Sequence, residues 1–289
     1  MVAVPFASQV AQAPSAPAWK RTPPMGPAYL APAKINLTLE VLARRVDGYH
    51  GLRSVMVPLD FGDEIVVEPS AAFEFACDRR ELENDDNLAV RALRALGPLP
   101  PYRVSLRKRI PSEAGLGGGS SDAAAILRAA MEGAFGTPSQ RDWIATARAL
   151  GSDVPFFLAG TGALVEGTGE RVTPLGALPR WHALIVTPPV SVSTALAYAR
   201  LDERPPAVRP RRGSASLSAL AALQRGEFEA VESLLHNDFE PVVAGRSPEI
   251  ATALSALRAA GARRPQLSGS GSSVFALAPT RDRLEGLLK

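Results

Sequence analysis

The chain has 289 residues, 46% of them apolar and 21% charged, which is the composition of an ordinary globular protein and excludes wholesale disorder. Its 32 Lys and Arg against 29 Asp and Glu leave a formal charge of +3, too mild for a dedicated nucleic-acid binder and suited to a small anionic ligand such as a nucleotide. A single cysteine, Cys77, excludes an internal disulfide and a cysteine-rich zinc site, and three scattered histidines argue against a histidine metal centre. A reducing, cytoplasmic setting fits that usage. No apolar run is long and clean enough to span a membrane.

The first 19 residues carry no charged side chain, but Pro5, Pro14 and Pro17 interrupt them and the basic start of a signal peptide is missing. Residues 1–27 therefore read as a disordered leader, with Met25 as an alternative start. Ile35 to Val41 alternates apolar and polar, the period of a half-buried strand. Two more strands are expected at 55–59 and 64–67, joined by a turn at Asp60-Phe61-Gly62-Asp63. Residues 87–96 have helical spacing and stop at Gly97-Pro98. An alternating strand follows at 102–107, in which Arg103 and Arg107, with Arg109 beyond, form a solvated basic face.

After a glycine cluster, a helix rich in the best helix formers is expected from Ser121. A second helix, 141–150, ends at Gly151 in the position of a left-handed cap. A short apolar strand at 181–187 precedes a Pro- and Arg-rich surface loop at 200–213. Helices are expected at 216–224, 227–236 and 248–260, and a last strand at 274–277. A strand-heavy first half and a helix-heavier second half imply an α+β fold. The boundary falls near residue 180, giving domains of 28–179 and 180–289.

The most informative stretch runs from Pro111 through Ser112, Glu113, Ala114, Gly115, Leu116, Gly117, Gly118, Gly119, Ser120 and Ser121 to Asp122. Four glycines in five positions between a strand and a helix let the backbone approach a ligand and adopt positive φ. The helix behind offers unpaired N–H groups and the positive end of its dipole, which suit a phosphate chain. Ser120 and Ser121 are placed to cap the helix, contact a phosphate oxygen or help hold Mg²⁺. It is not a Walker A loop, because no Gly-Lys-Ser/Thr follows, and Ser120 stands where the third Rossmann glycine belongs. A flexible turn before a Ser-capped helix is the alternative.

The run Pro-x-x-x-Gly-Leu-Gly-Gly-Gly-Ser-Ser-Asp-Ala-Ala at 111–124 resembles the phosphate loop of the GHMP kinases (galactose, homoserine, mevalonate and phosphomevalonate kinases). Pro32-Ala33-Lys34-Ile35-Asn36-Leu37 is similar to the first motif of that family, and Leu267 to Phe275, a Gly/Ser turn entering a strand, to the third. Arg45 to His50 and Gly151 to Phe157 are similar to the members that act on a cytidine diphosphate-linked methylerythritol. These matches span residues 31–275. The resemblance implies a ribosomal-protein-like N-terminal domain, a ferredoxin-like C-terminal domain and an active site in the cleft between them. The implied activity is ATP-dependent, Mg²⁺-assisted phosphorylation of that small molecule at its 2-hydroxyl, by direct in-line transfer, in the non-mevalonate route to isoprenoids.

Asp153 reads locally as a helix N-cap before Val154-Pro155, whereas the resemblance makes it the catalytic aspartate that orients the hydroxyl and takes its proton. Lys34 reads locally as a solvated charge; by resemblance it lies near that aspartate. Asn36, on the same strand face, is implied to bind the acceptor end of the substrate. Tyr49 and His50 follow the turn pair Asp47-Gly48 and are implied to grip the cytosine, by stacking and by hydrogen bonding, with Tyr198 as the opposing aromatic face. Local readings as loop packing and as a core helix residue stay open. Asn87 matches a segment near the adenine, or simply starts a helix. With Pro111, Gly115, Leu116, Gly117, Gly118, Gly119, Ser120 and Ser121 it makes up the ATP site.

Glu113 departs from the family pattern and is expected to point outward, away from phosphate. No acidic residue is assignable as a metal ligand. Neither nucleic acid nor membrane is expected as a partner, and no motif fixes an oligomeric state. Two rivals remain: a GHMP kinase for another acceptor, which would need no aromatic grip, and a non-catalytic RNA-binding module, motivated by a pI of about 9.3.

Overall fold

The protein was analysed as a computed structural model, which describes residues 2–5, 26–46, 48–136, 141–203 and 214–288. In chain order the first half contains β1 (Val2–Pro5), β2 (Ala28–Arg44), β3 (His50–Pro69), β4 (Glu74–Cys77), α1 (Leu88–Ala95), β5 (Tyr102–Arg107), α2 (Gly118–Met131), α3 (Trp143–Leu150), α4 (Val154–Ala159), β6 (Ala163–Gly167) and β7 (Arg171–Pro174). The second half contains β8 (His182–Val186), α5 (Thr194–Asp202), α6 (Ala215–Gln224), α7 (Phe228–Leu234), β9 (His236–Asn237), α8 (Glu240–Ala244), α9 (Pro248–Ala259), β10 (Gln266–Leu267), β11 (Val274–Ala278) and α10 (Arg281–Gly286). The fold is α+β, with no helix among the described residues long and apolar enough to cross a membrane.

The first sheet is organised by the antiparallel pair β2 and β3, whose register shifts three times, at Pro32/Lys34, Asn36/Thr38 and Val41/Arg44. Such bulges bend and twist a ladder. They let β3 pair with β5 through residues 64–69 and with β6 through residues 52–56. The turn expected at 60–63 does not form. Gly62 pairs with Pro32 inside one continuous strand, and a Cβ there would stand 2.2 Å from the Ala31 carbonyl oxygen, so the glycine serves close backbone approach.

Helix α2 starts three residues earlier than expected, at Gly118, and packs through Ala123, Ala124, Ala125, Ile126 and Leu127, all fully buried. Small side chains let it lie close against β2 and α1. Gly151 is not a left-handed cap; its φ of 173° is extended backbone that leads directly to α4. The basic face of β5 is not merely solvated, since Arg103 pairs with Glu74 at 2.6 Å and Arg107 with Glu64 at 2.9 Å; Arg109 reaches Glu64 at 3.7 Å. Cys77 is buried and free.

The second sheet has the order β1-β8-β11-β10 and is antiparallel throughout. Part of the expected leader is thus a strand: Val2–Pro5 pairs with residues 182–185, where the exposed edge of β8 offers a ladder. Met1 and residues 6–25 of that leader lie outside the described residues, as do Asp47 and most of the loop expected at 200–213, of which residues 200–202 belong to α5.

The two halves share a core. Ile35, Leu37, Val55 and Val57 of the first sheet pack in one cluster with Trp181, Ile185, Phe275 and Val231 of the second half. Strand β9 also crosses over, pairing parallel with β2 at Thr38 and Leu39. This places the start of β2, the loop before α2 and the turn between β10 and β11 against one another.

Candidate active site

Lys34 enters the site from β2, on the strand face shared with Asn36. Its Nζ donates to Asn36 Oδ1 at 2.6 Å and to the Gly115 carbonyl at 2.8 Å, and stands 4.0 Å from Asp153 Oδ2. Burial pulls its pKa below the ordinary lysine value, and the Asp153 charge opposes that shift. Asn36 donates from Nδ2 to Ser54 Oγ, which donates in turn to the Thr38 carbonyl. Asn36 is therefore engaged at both ends and holds the lysine in place.

Asp153 occupies the N-cap position of α4 but caps nothing: no side-chain hydrogen bond to the helix forms, and its carboxylate is one-third exposed to the cavity. The local reading of a capping aspartate fails for that reason. Its charge also reaches Tyr198, whose hydroxyl is raised in pKa first by burial and then by Asp153.

The glycine loop is held in a cradle made by both halves of the chain. The Gly115 carbonyl accepts from Lys34 and, at 3.0 Å, from Ser268 Oγ, while Ser273 N–H donates to the Ala114 carbonyl. Gly115 has φ +73°, and a Cβ on it would lie 2.1 Å from the Ser268 carbonyl oxygen. Gly117 has φ +75° and precedes the first turn of α2, whose leading N–H groups have no helical acceptor. We expect Gly115→Ala to lower stability by about 2–3 kcal/mol, through left-handed strain and the clash with the 268–271 turn, as read by thermal unfolding.

Gly115 and Gly117 line a cavity of about 1400 Å³, together with Lys34, Asn36, Asp153, Tyr49, His50, Tyr198 and residues 269–271. That is more than the 300–1000 Å³ or so that one small ligand fills. Pro111, Leu116, Gly118, Gly119, Ser120, Ser121 and Asn87 are not on its wall. Leu116 is buried, with its carbonyl accepting from Lys34 N–H. Ser121 is a fully buried residue of α2, so it cannot serve as the cap; that position belongs to Gly117. Asn87 is engaged at both ends, accepting from Ala89 N–H at the start of α1 and donating to the Leu82 carbonyl in the turn before it. Glu113 does not point away: its Oε2 accepts from Ser191 Oγ, linking the loop entrance to the second half of the chain.

At the far end of the cavity Tyr49 is 69% exposed. The His50 ring stacks on Tyr198, with centroids 5.5 Å apart and planes 13° from parallel, and Tyr198 meets Phe239 edge-on. Both imidazole nitrogens are occupied, Nδ1 by the Leu42 carbonyl at 3.1 Å and Nε2 by the Asp202 carboxylate at 3.0 Å. Hydrogen bonding of a base by this ring, expected from the sequence, has no open nitrogen here unless Asp202 lets go. The aromatic end is thus assembled from β3 and α5, with Asp202 as the tie.

The sequence reading missed Asp202 and Asn237, and took in Ser268 only as part of the third motif, without a role. Asn237 donates to the carbonyls of Leu267 and Gly269 and so shapes the second Gly/Ser turn. Nothing in His236-Asn237-Asp238 distinguishes it from an ordinary entry into a helix.

A lysine beside an aspartate, a doubly supported glycine loop and an aromatic recess on one cavity form the equipment of a group-transfer site for two substrates. Comparison with known proteins agrees. The profile of the GHMP kinases N terminal domain matches residues 87–161, and that of the GHMP kinases C terminal matches residues 219–289. The 4-diphosphocytidyl-2-C-methyl-D-erythritol kinase of Deinococcus radiodurans is 43% identical over 86% of this chain and 83% of its own. That of Symbiobacterium thermophilum is 44% identical over 86% and 90%. A crystal structure of 4-(cytidine 5'-diphospho)-2C-methyl-D-erythritol kinase is 40% identical, with a TM-score of 0.75 over 90% of this chain and 93% of that one. With both family domains matched and such identity along most of its length, the chain belongs to the GHMP kinases.

Proposed function

We propose that this kinase transfers the γ-phosphoryl group of ATP to the 2-hydroxyl of 4-diphosphocytidyl-2-C-methyl-D-erythritol. The observation that carries the reading is the placement of Lys34 and Asp153 on one cavity, between the glycine loop and the Tyr49–His50–Tyr198 recess. The names of the relatives support the acceptor.

Lys34 has three N–H donors, of which two are spent on Asn36 and Gly115. The third faces Asp153 across 4.0 Å. A hydroxyl oxygen in that gap sits within hydrogen-bonding distance of both groups. Asp153 then orients the O–H and takes its proton as the phosphorus–oxygen bond forms, while Lys34 offsets the charge on the attacking oxygen. The γ-phosphorus to bridging-oxygen bond breaks on the opposite side, leaving ADP. Gly115 and Gly117, the loop glycines on the cavity wall, bring the backbone to the triphosphate, with the positive end of α2 directly behind them.

Magnesium belongs to the nucleotide substrate in this reading. Among the described residues no three His, Cys, Asp or Glu side chains come together as a metal site. The ion would be held by the nucleotide and water, with Ser120 of the loop the hydroxyl that would assist them.

The test is ADP release with ATP, Mg²⁺ and the cytidylyl acceptor, run beside mevalonate, homoserine and galactose. Turnover on the cytidylyl acceptor alone is expected, and activity on another acceptor would overturn the assignment. Tyr49→Ala should raise the KM for the cytidylyl acceptor about tenfold, the worth of a stacking contact of 1–3 kcal/mol, and leave the KM for ATP unchanged. Equal changes in both would remove the cytosine from this end of the cavity.

A further inference from the structure

The cavity wall carries Lys34, Arg44 and Arg148 against Glu113, Asp153, Glu170 and Asp202, and two of its cations are held only by carbonyls. Arg44 ends β2 and Arg148 lies in the last turn of α3, and both line the cavity, Arg148 beside Glu170. Arg44 donates from Nε to the Gly48 carbonyl at 2.8 Å, and Arg148 from Nη2 to the Glu170 carbonyl at 3.1 Å. A carbonyl orients a guanidinium but does not neutralise it. Glu170 has its carboxylate turned elsewhere, accepting from Thr168 N–H and Oγ1 and facing Arg45 at 4.0 Å. Among the described residues neither Arg44 nor Arg148 has a carboxylate within ion-pair distance.

Their location is fixed by the turn at residues 168–170. On one side it abuts Ser152, the neighbour of Asp153; a Cβ on Gly169 would stand 2.9 Å from the Ser152 carbonyl oxygen. On the other side, through Arg45, it touches the segment leading to Tyr49 and His50. Arg148 is tied to that turn through the Glu170 carbonyl and Arg44 to Gly48 beside Tyr49, so the two guanidiniums flank the way from the hydroxyl-handling end to the base-binding end. In a molecule whose polyol and cytidine occupy those ends, that stretch holds the diphosphate.

We propose that Arg44 and Arg148 form an anion subsite for the diphosphate of the acceptor. The proposal rests on the acceptor assigned above. Guanidinium–phosphate contacts are charge-assisted and fork-shaped, and the carbonyl bonds of Arg44 Nε and Arg148 Nη2 leave other N–H groups of each free for them. A nucleotide phosphate would satisfy the same chemistry, so the test must separate the two sources.

Arg148→Gln, Arg44→Gln and the double variant are measured for KM against each substrate, and for competitive inhibition of the wild type and the variants by cytidine and CDP. Each single variant is expected to raise the KM for the acceptor about tenfold, with the KM for ATP unchanged. Wild-type enzyme should bind CDP more tightly than cytidine, by a ratio that collapses in the double variant. Raising ionic strength should weaken CDP binding to wild type and have less effect on the double variant. A rise confined to the KM for ATP would give these cations to the nucleotide and overturn the proposal. An unchanged CDP-to-cytidine ratio in the double variant would overturn it while leaving the cytidylyl acceptor intact. If neither cytidine nor CDP inhibits the wild type, the acceptor assignment falls and the proposal with it.

Discussion

Replacing Asp153 with asparagine is expected to lower kcat by about three to four orders of magnitude and leave the KM for ATP within a few-fold of wild type. Asparagine keeps the shape and hydrogen-bonding reach of the side chain but removes its charge and its ability to take a proton. General-base assistance is worth about 10² to 10⁴ in rate, and electrostatic stabilisation beside a buried cation adds to it. The same substitution has little to disturb in the fold. Asp153 makes no cap hydrogen bond, its side chain is one-third exposed, and its distance to Lys34 is at the outer limit of an ion pair. Steady-state kinetics with a thermal unfolding curve for each protein separate the two effects. A variant that folds normally and retains a tenth of the wild-type rate would reduce Asp153 to a positioning group. Lys34→Ala should lose a comparable factor, but with a structural cost, because Asn36 and the Gly115 carbonyl lose their shared donor.

The contrast between these two residues shows how much of the site was legible in the sequence. Lys34 and Asp153 are 119 positions apart, and local reading made one a solvated charge and the other a helix cap. Only the resemblance joined them; what forces them together is the packing of α4 onto α2 and of α2 onto β2. Elements with strong local patterns, such as the alternating β5 or the helix formers of α2, were readable because their period reports burial. The turn expected at 60–63 was misread because Asp-Phe-Gly-Asp has turn composition. Its glycine instead admits the Ala31 backbone, and its second aspartate is satisfied by N–H groups 46 and 47 positions away. Local composition does not reveal such a partner. Asp202 and Asn237 escaped for the same reason, since each acts on a loop distant in sequence.

That second aspartate, Asp63, leads to the largest expected effect on stability. Lys108 Nζ donates to Asp63 Oδ2 and, at 2.6 Å, to Asp122 Oδ2, with all three side chains buried. The cluster lies directly beneath the glycine loop: a Cβ on Gly118 would stand 3.2 Å from the lysine nitrogen. Lys108→Met should destabilise the protein by about 3–5 kcal/mol, because it leaves the buried Asp63 carboxylate without its cation and Asp122 Oδ2 without its donor. Adding Asp122→Asn should recover part of that loss, so the two changes together cost less than their sum.

One ammonium shared by two carboxylates leaves the cluster with an excess negative charge when all three are ionised. Burial pushes Asp122 from 3.8 up to about 8; Lys108 opposes the shift and Asp63 adds to it. Burial also works against the charge on Lys108, but the Asp122 and Asp63 carboxylates outweigh it and hold its pKa above the ordinary value. Lys108 therefore stays charged across the range in which Asp122 titrates. The folded state binds a proton at Asp122 that the unfolded chain has already released, so this group makes stability fall as pH rises between about 4 and about 8. Asp122→Asn cannot ionise, so its melting temperature should drop less than that of wild type across that interval, with the gap between the two curves widening toward pH 8. Parallel curves would mean that Asp122 keeps its charge in the folded protein and that the lysine neutralises both carboxylates. In the expected case the proton matters for the site above it. At neutral pH the cluster beneath the first turn of α2 is then a Lys108–Asp63 pair with no net charge, and it does not offset the positive end of the helix dipole.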